Sequence, residues 1–533
     1  MSEDPPSTEQ PKRRRKRNWL RRILLAILGL YAALWIAGAL MATGRPPMNG
    51  TDQYTPAIPV QPEDVDLLFD RTAWTEDGEP VFKQAIFPAM LAMIERADGA
   101  IVLDMFLVNQ FGARSDNGLD YRDTTGELVD ALVAKREADP DTWILFVTDP
   151  INSIYDDECP DALEPLVQAG GHVVFTNLRA LTDSNPIYSL PYRALRPLLS
   201  AIPYLNKPGL KNPFDAGGDP VSGMQILELV NFKANHRKVL TCRTGDGQWQ
   251  ALVTSANPHT ASSRHDNVAA VLRAGPLAAI RNSELTLAAD SMRARPELLF
   301  SQSTADEVHA QIRTWLDEPV EAPAAAPSPA AMAVRYCSEA ALGETVDELL
   351  RKASRGDVVE MLMFYLADPR VVRGLRKAAE RGASIRLLLD PNKDAFGRQK
   401  RGIPNRVIAT QLHDWAAARD VDLQIRWADT RGEQMHTKAL RVVQTATGAE
   451  HYLLGSANFT TRNLRGTNLE SGILIENGTP LAQQWTETFD AMWSNQVDGT
   501  CSLPFDRYAS RGVKGVVDRV LTFLTNTTGF STY

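Results

Sequence analysis

Cysteine is scarce in this chain of 533 residues. Only four are present, and none lies in a C-x-x-C pair or another zinc-binding spacing. A zinc site built on cysteines is therefore not expected, and no other cluster of metal ligands is visible, so we predict neither a metal ion nor a cofactor. Cys337 and Cys501 lie near the two ends of the second half and could pair in an oxidising compartment. Four unpaired, buried thiols are the alternative.

Net positive charge is absent from the chain beyond residue 22. The formal charge is -8, but residues 1–22 hold eight basic and three acidic residues, so the remainder carries -13. A body with this much negative charge has no general attraction for a polyanion, so we do not expect nucleic acid as the partner. A local basic cleft remains an alternative. The apolar content of 44% is that of a globular protein, and the length predicts two or three domains.

One long run without charge stands out, from Ile23 to Ala42. At a rise of about 1.5 Å per residue, these twenty residues match the roughly 30 Å hydrocarbon core of a bilayer. They predict a transmembrane anchor, residues 23–42, after a basic cytoplasmic tail, residues 1–22. A cleaved signal peptide is the alternative, because Ala37 and Ala39 give an A-x-A-like site. By the positive-inside rule, the body then lies outside the cytoplasm, in the periplasm if the source is a Gram-negative bacterium.

The chain beyond the anchor repeats one order of segments. In each half an apolar strand and a helical segment lead to a second strand that ends on Asp-Pro, at Asp149–Pro150 and at Asp390–Pro391. Apolar strands that alternate with helices predict an α/β fold: two α/β sandwich repeats with largely parallel or mixed sheets. The expected boundaries are a first repeat at 55–317, a Pro/Ala-rich linker at 318–333, a second repeat at 334–500 and a C-terminal extension at 501–533.

The two repeats differ in length before their His-x-Lys segments. Asp149 and His236 are 87 positions apart, whereas Asp390 and His436 are 46 apart. The surplus is an insertion at about 178–230 that is rich in proline, leucine and tyrosine. We expect it either to lie at a membrane interface or to pack on the protein as a lid, with its prolines interrupting any long amphipathic helix.

Each repeat carries His-x-Lys followed by Ser-x-Asn at nearly the same distance. Residues i and i+2 of a strand share a face, so each imidazole lies beside an ammonium group. Two such sets would surround one phosphate group. One histidine could attack phosphorus and the other could protonate the leaving oxygen, while lysines and amides stabilise the charge. The two sets are His236, Lys238, Ser255 and Asn257, and His436, Lys438, Ser456 and Asn458.

These sets resemble the paired HKD motifs of the phospholipase D superfamily. The stretch GSANFTTRN followed by Asn468-Leu469-Glu470 is especially similar to that family, and the resemblance covers about residues 60–500. It implies phosphodiester hydrolysis or phosphatidyl transfer on a phospholipid, as in phospholipases D and cardiolipin synthases. The implied partners are the phospholipid substrate and the bilayer. A monomer suffices, since both motifs lie in one chain.

The resemblance also implies a role for each motif residue. His236 corresponds to the nucleophile that becomes phosphohistidine, and His436 to the general acid and later base. An acidic residue after each Ser-x-Asn orients a histidine in this family, and the matching residues are Asp266 and Glu470. The implied phosphate binders are Lys238, Lys438, Asn257 and Asn458, with Ser255 and Ser456 beside them as substrate-binding residues.

The sequence departs from the family pattern in two places. The aspartates of H-x-K-x-x-x-x-D are replaced by Arg243 and Val443, and Thr254 stands where glycine is usual. Two alternatives therefore stay open beside the lipid enzyme: an exported phosphodiesterase or nuclease of the same superfamily, and a catalytically inactive, membrane-anchored lipid-binding homologue.

Other polar residues lie near the motifs. Asp149 and Asp390 either line the cleft or start turns. His259 and His265, beside the first Ser-x-Asn, are interpreted as polar loop residues.

Overall fold

The structure is a computed structural model that describes residues 10–43, 52–113, 121–215, 217–319, 331–395, 398–496 and 498–531. Most of the expected linker at 318–333 and the first nine residues of the basic tail lie outside the described residues.

Helices and strands alternate through most of the described chain. The helices are α1 (Gln10–Thr43), α2 (Ile86–Arg96), α3 (Thr124–Ala138), α4 (Glu164–Gln168), α5 (Pro186–Ser200), α6 (Gly223–Leu229), α7 (Leu277–Ala294), α8 (Ala305–Asp317), α9 (Ala340–Lys352), α10 (Pro369–Glu380), α11 (Asn405–Ala417), α12 (Thr461–Leu464), α13 (Ala482–Ser494) and α14 (Gly512–Thr528). The strands are β1 (Ile58–Pro59), β2 (Val65–Trp74), β3 (Pro80–Lys83), β4 (Ala97–Met105), β5 (Trp143–Thr148), β6 (His172–Phe175), β7 (Pro208–Leu210), β8 (Val221–Ser222), β9 (Lys238–Thr244), β10 (Trp249–Thr254), β11 (Asn267–Leu272), β12 (Leu299–Phe300), β13 (Ala333–Ser338), β14 (Val358–Met363), β15 (Ser384–Leu389), β16 (Asp394–Ala395), β17 (Arg398–Gln399), β18 (Leu423–Ala428), β19 (Lys438–Gln444), β20 (Ala449–Gly455), β21 (Ser471–Glu476) and β22 (Ser502–Pro504).

Two large mixed sheets have the same plan. Their orders are β12-β6-β5-β4-β9-β10-β11-β2-β3 and, for the second, β22-β18-β15-β14-β19-β20-β21-β13-β1. In each sheet three parallel strands (β4, β5 and β6; β14, β15 and β18) adjoin an antiparallel series. The parallel strands need crossover connections, and the helices in these connections are α3 and α4 in the first sheet and α10 and α11 in the second. The predicted α/β fold with two repeats is confirmed, and its sheets are mixed, with most pairings antiparallel.

The two sheets share one hydrophobic core. Val239 and Val268 of the first sheet belong to the same buried cluster as Leu362, Leu454 and Ile473 of the second. Helices α2, α3 and α4 cover the outer face of the first sheet, and α9, α10 and α11 cover that of the second. Because the central strands are buried on both faces, they read in the sequence as continuous apolar runs.

Two strands pair outside the repeat to which the sequence assigned them. β1 lies before the first sheet in the chain but pairs with β13 of the second. β22, in the expected C-terminal extension, pairs with β18 and ends the second sheet. The four cysteines are free, Cys337 and Cys501 included, which agrees with the alternative of unpaired thiols.

Helix α1 contains the segment expected to cross a membrane. Arg21–Ala42 is long and apolar enough to do so, and 6% of its most apolar window is buried. The helix contacts α5, the longest helix of the insertion. The expectation that prolines interrupt a long helix there is wrong, because α5 continues through Pro191 and Pro197. Pro191 has no N–H to donate to the carbonyl of Ile187, and the hydroxyl of Tyr31 in α1 donates to that carbonyl instead, at 2.7 Å.

Gly455 ends β20 where the chain passes close to β21. A Cβ atom there would lie 2.2 Å from the backbone oxygen of Ser471. We expect Gly455→Ala to lower the free energy of unfolding by about 1–3 kcal/mol, because a rigid backbone must move. Chemical denaturation of the detergent-solubilised protein measures the loss. Gly209→Ala is the control, since no atom lies within 4 Å of the added methyl group. Equal stability of the two variants would contradict the prediction.

Candidate active site

Both histidines lie where the two repeats meet. His236 and His436 come two residues before β9 and β19, the central strands of their sheets. The backbone N–H of His236 donates to the Leu469 carbonyl at 2.9 Å, and that of Asp266 donates to the Gln434 carbonyl at 3.0 Å. The segment before each histidine therefore pairs with the segment after Ser-x-Asn of the other repeat. Folding brings both motif sets to one interface.

Asp149 and Asp390 hold these two segments in the same way. One carboxylate oxygen of Asp149 accepts the N–H of Asn235 at 2.7 Å, and one of Asp390 accepts the N–H of Met435 at 2.8 Å. The other oxygen of each accepts an N–H of the turn that follows the strand. Burial raises the pKa of each carboxyl to about 7. Each aspartate thus both starts a turn and fixes the residue that precedes a histidine.

His236 is oriented by a carboxylate. Its Nδ1 lies 3.0 Å from Oε2 of Glu470. The Ser456 hydroxyl donates to the same oxygen, and the Asn463 amide donates to Oε1. Burial raises the pKa of Glu470, but His236, Lys238 and the Ser456 hydrogen bond outweigh it and hold the pKa below its usual value. Burial lowers the pKa of His236 to about 4 against the opposing charge of Glu470. The structure therefore places Glu470 where the sequence predicts an orienting acid.

His436 is oriented by an amide, and the expected role of Asp266 is wrong. Nδ1 of His436 lies 3.2 Å from Oδ1 of Asn267. Asp266 instead accepts the backbone N–H of Thr72 at 2.6 Å. Ser-x-Asn and its orienting residue are two positions closer in the first repeat than in the second, so the place of Glu470 falls on Asn267. Burial is the largest cause that lowers the pKa of His436 well below its usual value, followed by Lys438.

The two serines support the orienting residues, and the expectation that they also bind substrate stays a prediction. Ser255 donates to Asn267 at 3.0 Å, and Ser456 donates to Glu470. Each hydroxyl also accepts a backbone N–H of the next strand at 3.0 Å. Both serines are fully buried. Their hydroxyls therefore position the partner of a histidine.

Each lysine lies against an aromatic ring. Nζ of Lys238 is 4.8 Å from the ring centre of Phe106, and Nζ of Lys438 is 5.2 Å from that of Phe364. The same rings contact the imidazoles of His236 and His436. Burial lowers the pKa of Lys238 to about 7, and burial together with Lys238 lowers the pKa of Lys438 well below its usual value. The motif analysis missed both phenylalanines, although each follows a methionine at the end of the first of the three parallel strands in its sheet.

The charged groups of the two sets lie close enough to act on one another. After burial and Glu470, both Lys238 and Lys438 act on the pKa of His236. His436 is likewise affected by both lysines and by His236. The side-chain oxygens of Asn257 and Asn458 are buried, and neither has a hydrogen-bond partner within the described chain. The site thus holds two imidazoles, two amines and two uncommitted amide oxygens.

The departures from the family pattern lie away from these groups. Arg243 stands near the far end of β9 and binds Glu318 at 3.1 Å. Val443 pairs with Val358 at the far end of β19. The replacement of the two HKD aspartates by Arg243 and Val443 therefore leaves the residues that orient the histidines in place.

His259 is held in its loop by the carbonyl of Phe111, at 2.9 Å.

His265 lies closer to the site than its interpretation as a loop residue implies. Its ring centre is 6.0 Å from that of His436, and its Nε2 is 3.3 Å from a carboxyl oxygen of Glu433. Burial raises the pKa of Glu433 to about 8. Only the position of His265 just before Asp266 and Asn267 in the sequence could have indicated that it lies close to His436.

A cavity of about 90 Å³ lies under the insertion. Thr176 lines it and accepts a hydrogen bond from the Asn235 amide at 2.8 Å, so the cavity adjoins the residue before His236. Several of its cations are already paired: Lys233 with Asp183 at 2.8 Å and Arg196 with Glu228 at 2.5 Å. Its charged lining consists of Arg179, Arg193, Arg196, Lys233, Arg295, Asp157, Asp183 and Glu228.

Known proteins share this architecture. Residues 346–493 match the family model described as cardiolipin synthase, PLD-like domain. The crystal structure of phosphatidylserine synthase from Haemophilus influenzae Rd KW20 is similar with a TM-score of 0.50 and 11% identity, over 93% of this chain and 98% of that one. At this identity the similarity shows the fold alone. No curated protein sequence matches the chain.

Two further solved structures are more distant. Polyphosphate kinase from Porphyromonas gingivalis has a TM-score of 0.38 and 11% identity, over 87% of this chain and 56% of that one. A phospholipase D family member, Nuc from Salmonella typhimurium, has a TM-score of 0.24 and 16% identity, over 31% of this chain and 95% of that one. Neither supports an argument here. The resemblance to the phospholipase D superfamily is confirmed for residues 346–493, which match the PLD-like family model. The phosphatidylserine synthase structure adds the shared fold.

Proposed function

We propose that the protein hydrolyses or transfers the phosphodiester of a phospholipid through a phosphohistidine intermediate. The observation that carries this proposal is the meeting of both His-Lys-Asn sets at one interface, with each histidine oriented by a residue of the other repeat. The match to a cardiolipin synthase-like domain supports a lipid phosphodiester as the substrate. One chain contributes both halves of the site.

The two histidines divide the chemistry. Glu470 accepts the Nδ1–H of His236, which leaves the Nε2 lone pair free to attack phosphorus. A P–N bond forms, the P–O bond to the leaving alcohol breaks, and Nε2–H of His436 gives its proton to that oxygen. Water or an acceptor alcohol then returns a proton to His436 and attacks phosphorus, which breaks the P–N bond.

The remaining groups match a phosphate anion. Burial disfavours positive charge on Lys238, Lys438 and both histidines and is the largest cause of their lowered pKa values. A bound phosphodiester brings a negative charge into this buried site and raises all four pKa values. The lysines then stabilise the non-bridging oxygens, and His436 carries the proton it must deliver.

Both histidines should be required. We expect His236→Ala and His436→Ala each to lower turnover by orders of magnitude, because each removes a separate bond-forming or proton-transferring group. Hydrolysis of bis(p-nitrophenyl) phosphate measures this without a membrane. His309→Ala, on the outer helix α8, is the matched control and should keep the full rate. A His436 variant with near-normal steady-state turnover would contradict the two-histidine mechanism.

The lipid assay tests the substrate class. Purified full-length protein is incubated with phosphatidylglycerol or phosphatidylethanolamine vesicles, with and without added glycerol, and products are read by mass spectrometry. We expect phosphatidic acid from hydrolysis or a new phosphatidyl ester from transfer, both absent in His236→Ala. Cleavage of DNA with no change in any lipid would favour the nuclease alternative.

The amide partner of His436 should set the pH dependence. Asn267→Asp places a negative charge beside His436, which raises its pKa and keeps it protonated to higher pH. The alkaline limb of the kcat/KM profile, where a general acid loses its proton, should therefore move to higher pH. Glu470→Gln instead removes the support of the nucleophile and should cost on the order of 10²–10⁴-fold in kcat. An Asn267→Asp profile identical to that of the parent would show that His436 is not the acid.

We also propose that α1 crosses the membrane with the basic tail in the cytoplasm and the two repeats outside it. A C-terminal reporter that is active only after export should then be active, and the full-length chain should stay in the membrane fraction. A soluble product that begins near Thr43 would identify the segment as a cleaved signal peptide. Reporter activity confined to the cytoplasm would reverse the orientation.

A further inference from the structure

Helix α14 turns its polar side to the protein and its apolar side outward, the opposite of a helix on the surface of a soluble domain. The side facing the protein holds Gly515, Asp518 and Thr522. Asp518 binds Arg401 there at 3.0 Å. The side facing outward is apolar, with Val513 83% and Phe523 68% exposed. A surface helix normally buries its apolar stripe, so this arrangement needs an apolar environment outside the protein.

The outer side of α14 is apolar along most of its length, and so is the outer side of α5. We define the docking face as the exposed apolar residues of these two helices and of the segments directly after them: Ile187, Leu198, Ile202, Tyr204, Val513, Val516, Val517, Val520, Phe523, Leu524 and Phe530. The exposed charges of α14 are basic, Lys514 and Arg519, whereas its acid, Asp518, is buried and paired. Apolar residues flanked by basic ones favour the interface of a bilayer with anionic lipids.

The end of α14 is joined to the start of α5. A Cβ atom on Gly529 would lie 1.8 Å from the Ser184 carbonyl oxygen, so the two backbones touch. The Phe530 ring packs edge-on against Phe232, at the end of the insertion, with centres 5.3 Å apart. Arg462 of α12 donates to the Gly529 carbonyl at 2.6 Å. The following residue, Asn463, binds Glu470, so this junction also adjoins the site.

The contacts of α1 fix where α5 lies along the anchor. Besides the hydrogen bond from Tyr31, a Cβ atom on Gly38 would lie 1.9 Å from the Leu190 carbonyl oxygen. Arg193 donates to the Gly38 carbonyl at 3.2 Å. Tyr31 and Gly38 precede Ala42, the end of the apolar run, by eleven and four residues, or about 16 and 6 Å along the helix axis. If α1 crosses a bilayer, α5 is therefore at the depth of the outer half.

We propose that the docking face lies in the outer leaflet of the bilayer that α1 crosses, so that α5 and α14 hold the two-histidine site against the lipid. The inference rests on the membrane placement of α1 proposed above. It favours the membrane-interface alternative for the insertion and extends the contact to α14, which is more than 280 residues away in the sequence. Three segments of the chain then contact one membrane.

Depth-dependent quenching tests the proposal directly. The full-length protein with Cys159→Ser, which removes the half-buried thiol, is reconstituted in nanodiscs of phosphatidylcholine and phosphatidylglycerol. Single cysteines at Phe523, Leu30 and Val81 carry an environment-sensitive fluorophore, and some lipids carry a nitroxide. Leu30 of α1 reports the anchor, and Val81, an exposed apolar residue of β3, is the matched control. We expect quenching at Phe523→Cys and Leu30→Cys and none at Val81→Cys.

The possible results distinguish failure of the docking face from failure of the membrane anchor. Quenching at Leu30→Cys without quenching at Phe523→Cys overturns the docking face and leaves the anchor in place. Quenching at neither position overturns both. Disulfide-linked dimers of Phe523→Cys without quenching would show that a second copy covers the face, which also overturns the inference. None of these readouts depends on catalysis.

Activity gives a second measurement. Phe523→Asp and Val520→Asp should lower turnover of phosphatidylglycerol vesicles by about tenfold, since each removes apolar burial at the interface. Hydrolysis of bis(p-nitrophenyl) phosphate should not change, because neither residue touches the site. Val81→Asp should leave both rates unchanged. Equal loss on both substrates would overturn the inference, because the residues would then stabilise the fold.

Discussion

Neither histidine of the site is oriented by its own repeat. His236 of the first repeat binds Glu470 of the second, and His436 of the second binds Asn267 of the first. The backbone repeats this exchange, because the segment before each histidine pairs with the other repeat. The site therefore exists only while the inner faces of the two sheets are packed together, and the shared core that joins them determines its geometry.

The duplication is symmetric in position and asymmetric in charge. The serines, lysines and phenylalanines have matching contacts in both repeats, whereas the histidine partner is a carboxylate on one side and an amide on the other. The carboxylate favours a nucleophile, because it fixes the imidazole tautomer and stabilises the positive charge that develops on attack. The amide leaves His436 a weaker base and so a stronger acid once protonated. In the proposed mechanism, this difference between a carboxylate and an amide separates the two roles.

Local patterns predicted the repeats, the mixed α/β sheets and the motif residues, because strands buried on both faces and a repeated His-x-Lys are visible within short windows. The orienting residue of the first repeat was placed one position too early, on Asp266. Its register depends on the hydrogen bond from the Asp266 N–H to Gln434 in the other repeat, which no spacing within one motif encodes. The prediction that prolines interrupt the helix of the insertion failed for the same reason, since Tyr31 of a distant helix satisfies the carbonyl that Pro191 leaves free.

The orientation of α14 shows a related limit of sequence patterns. The spacing of valines, Phe523 and Leu524 marks one apolar side of a helix, but periodicity alone does not say whether that side faces protein or its surroundings. The partner of the opposite side decides it: Asp518 needs a cation, and Arg401 supplies it from the second repeat. With the polar side held against the protein, the apolar side must face outward. In a chain with an apolar anchor that packs on α5, whose start meets the end of α14, the environment that accepts such a face at least cost is the bilayer itself.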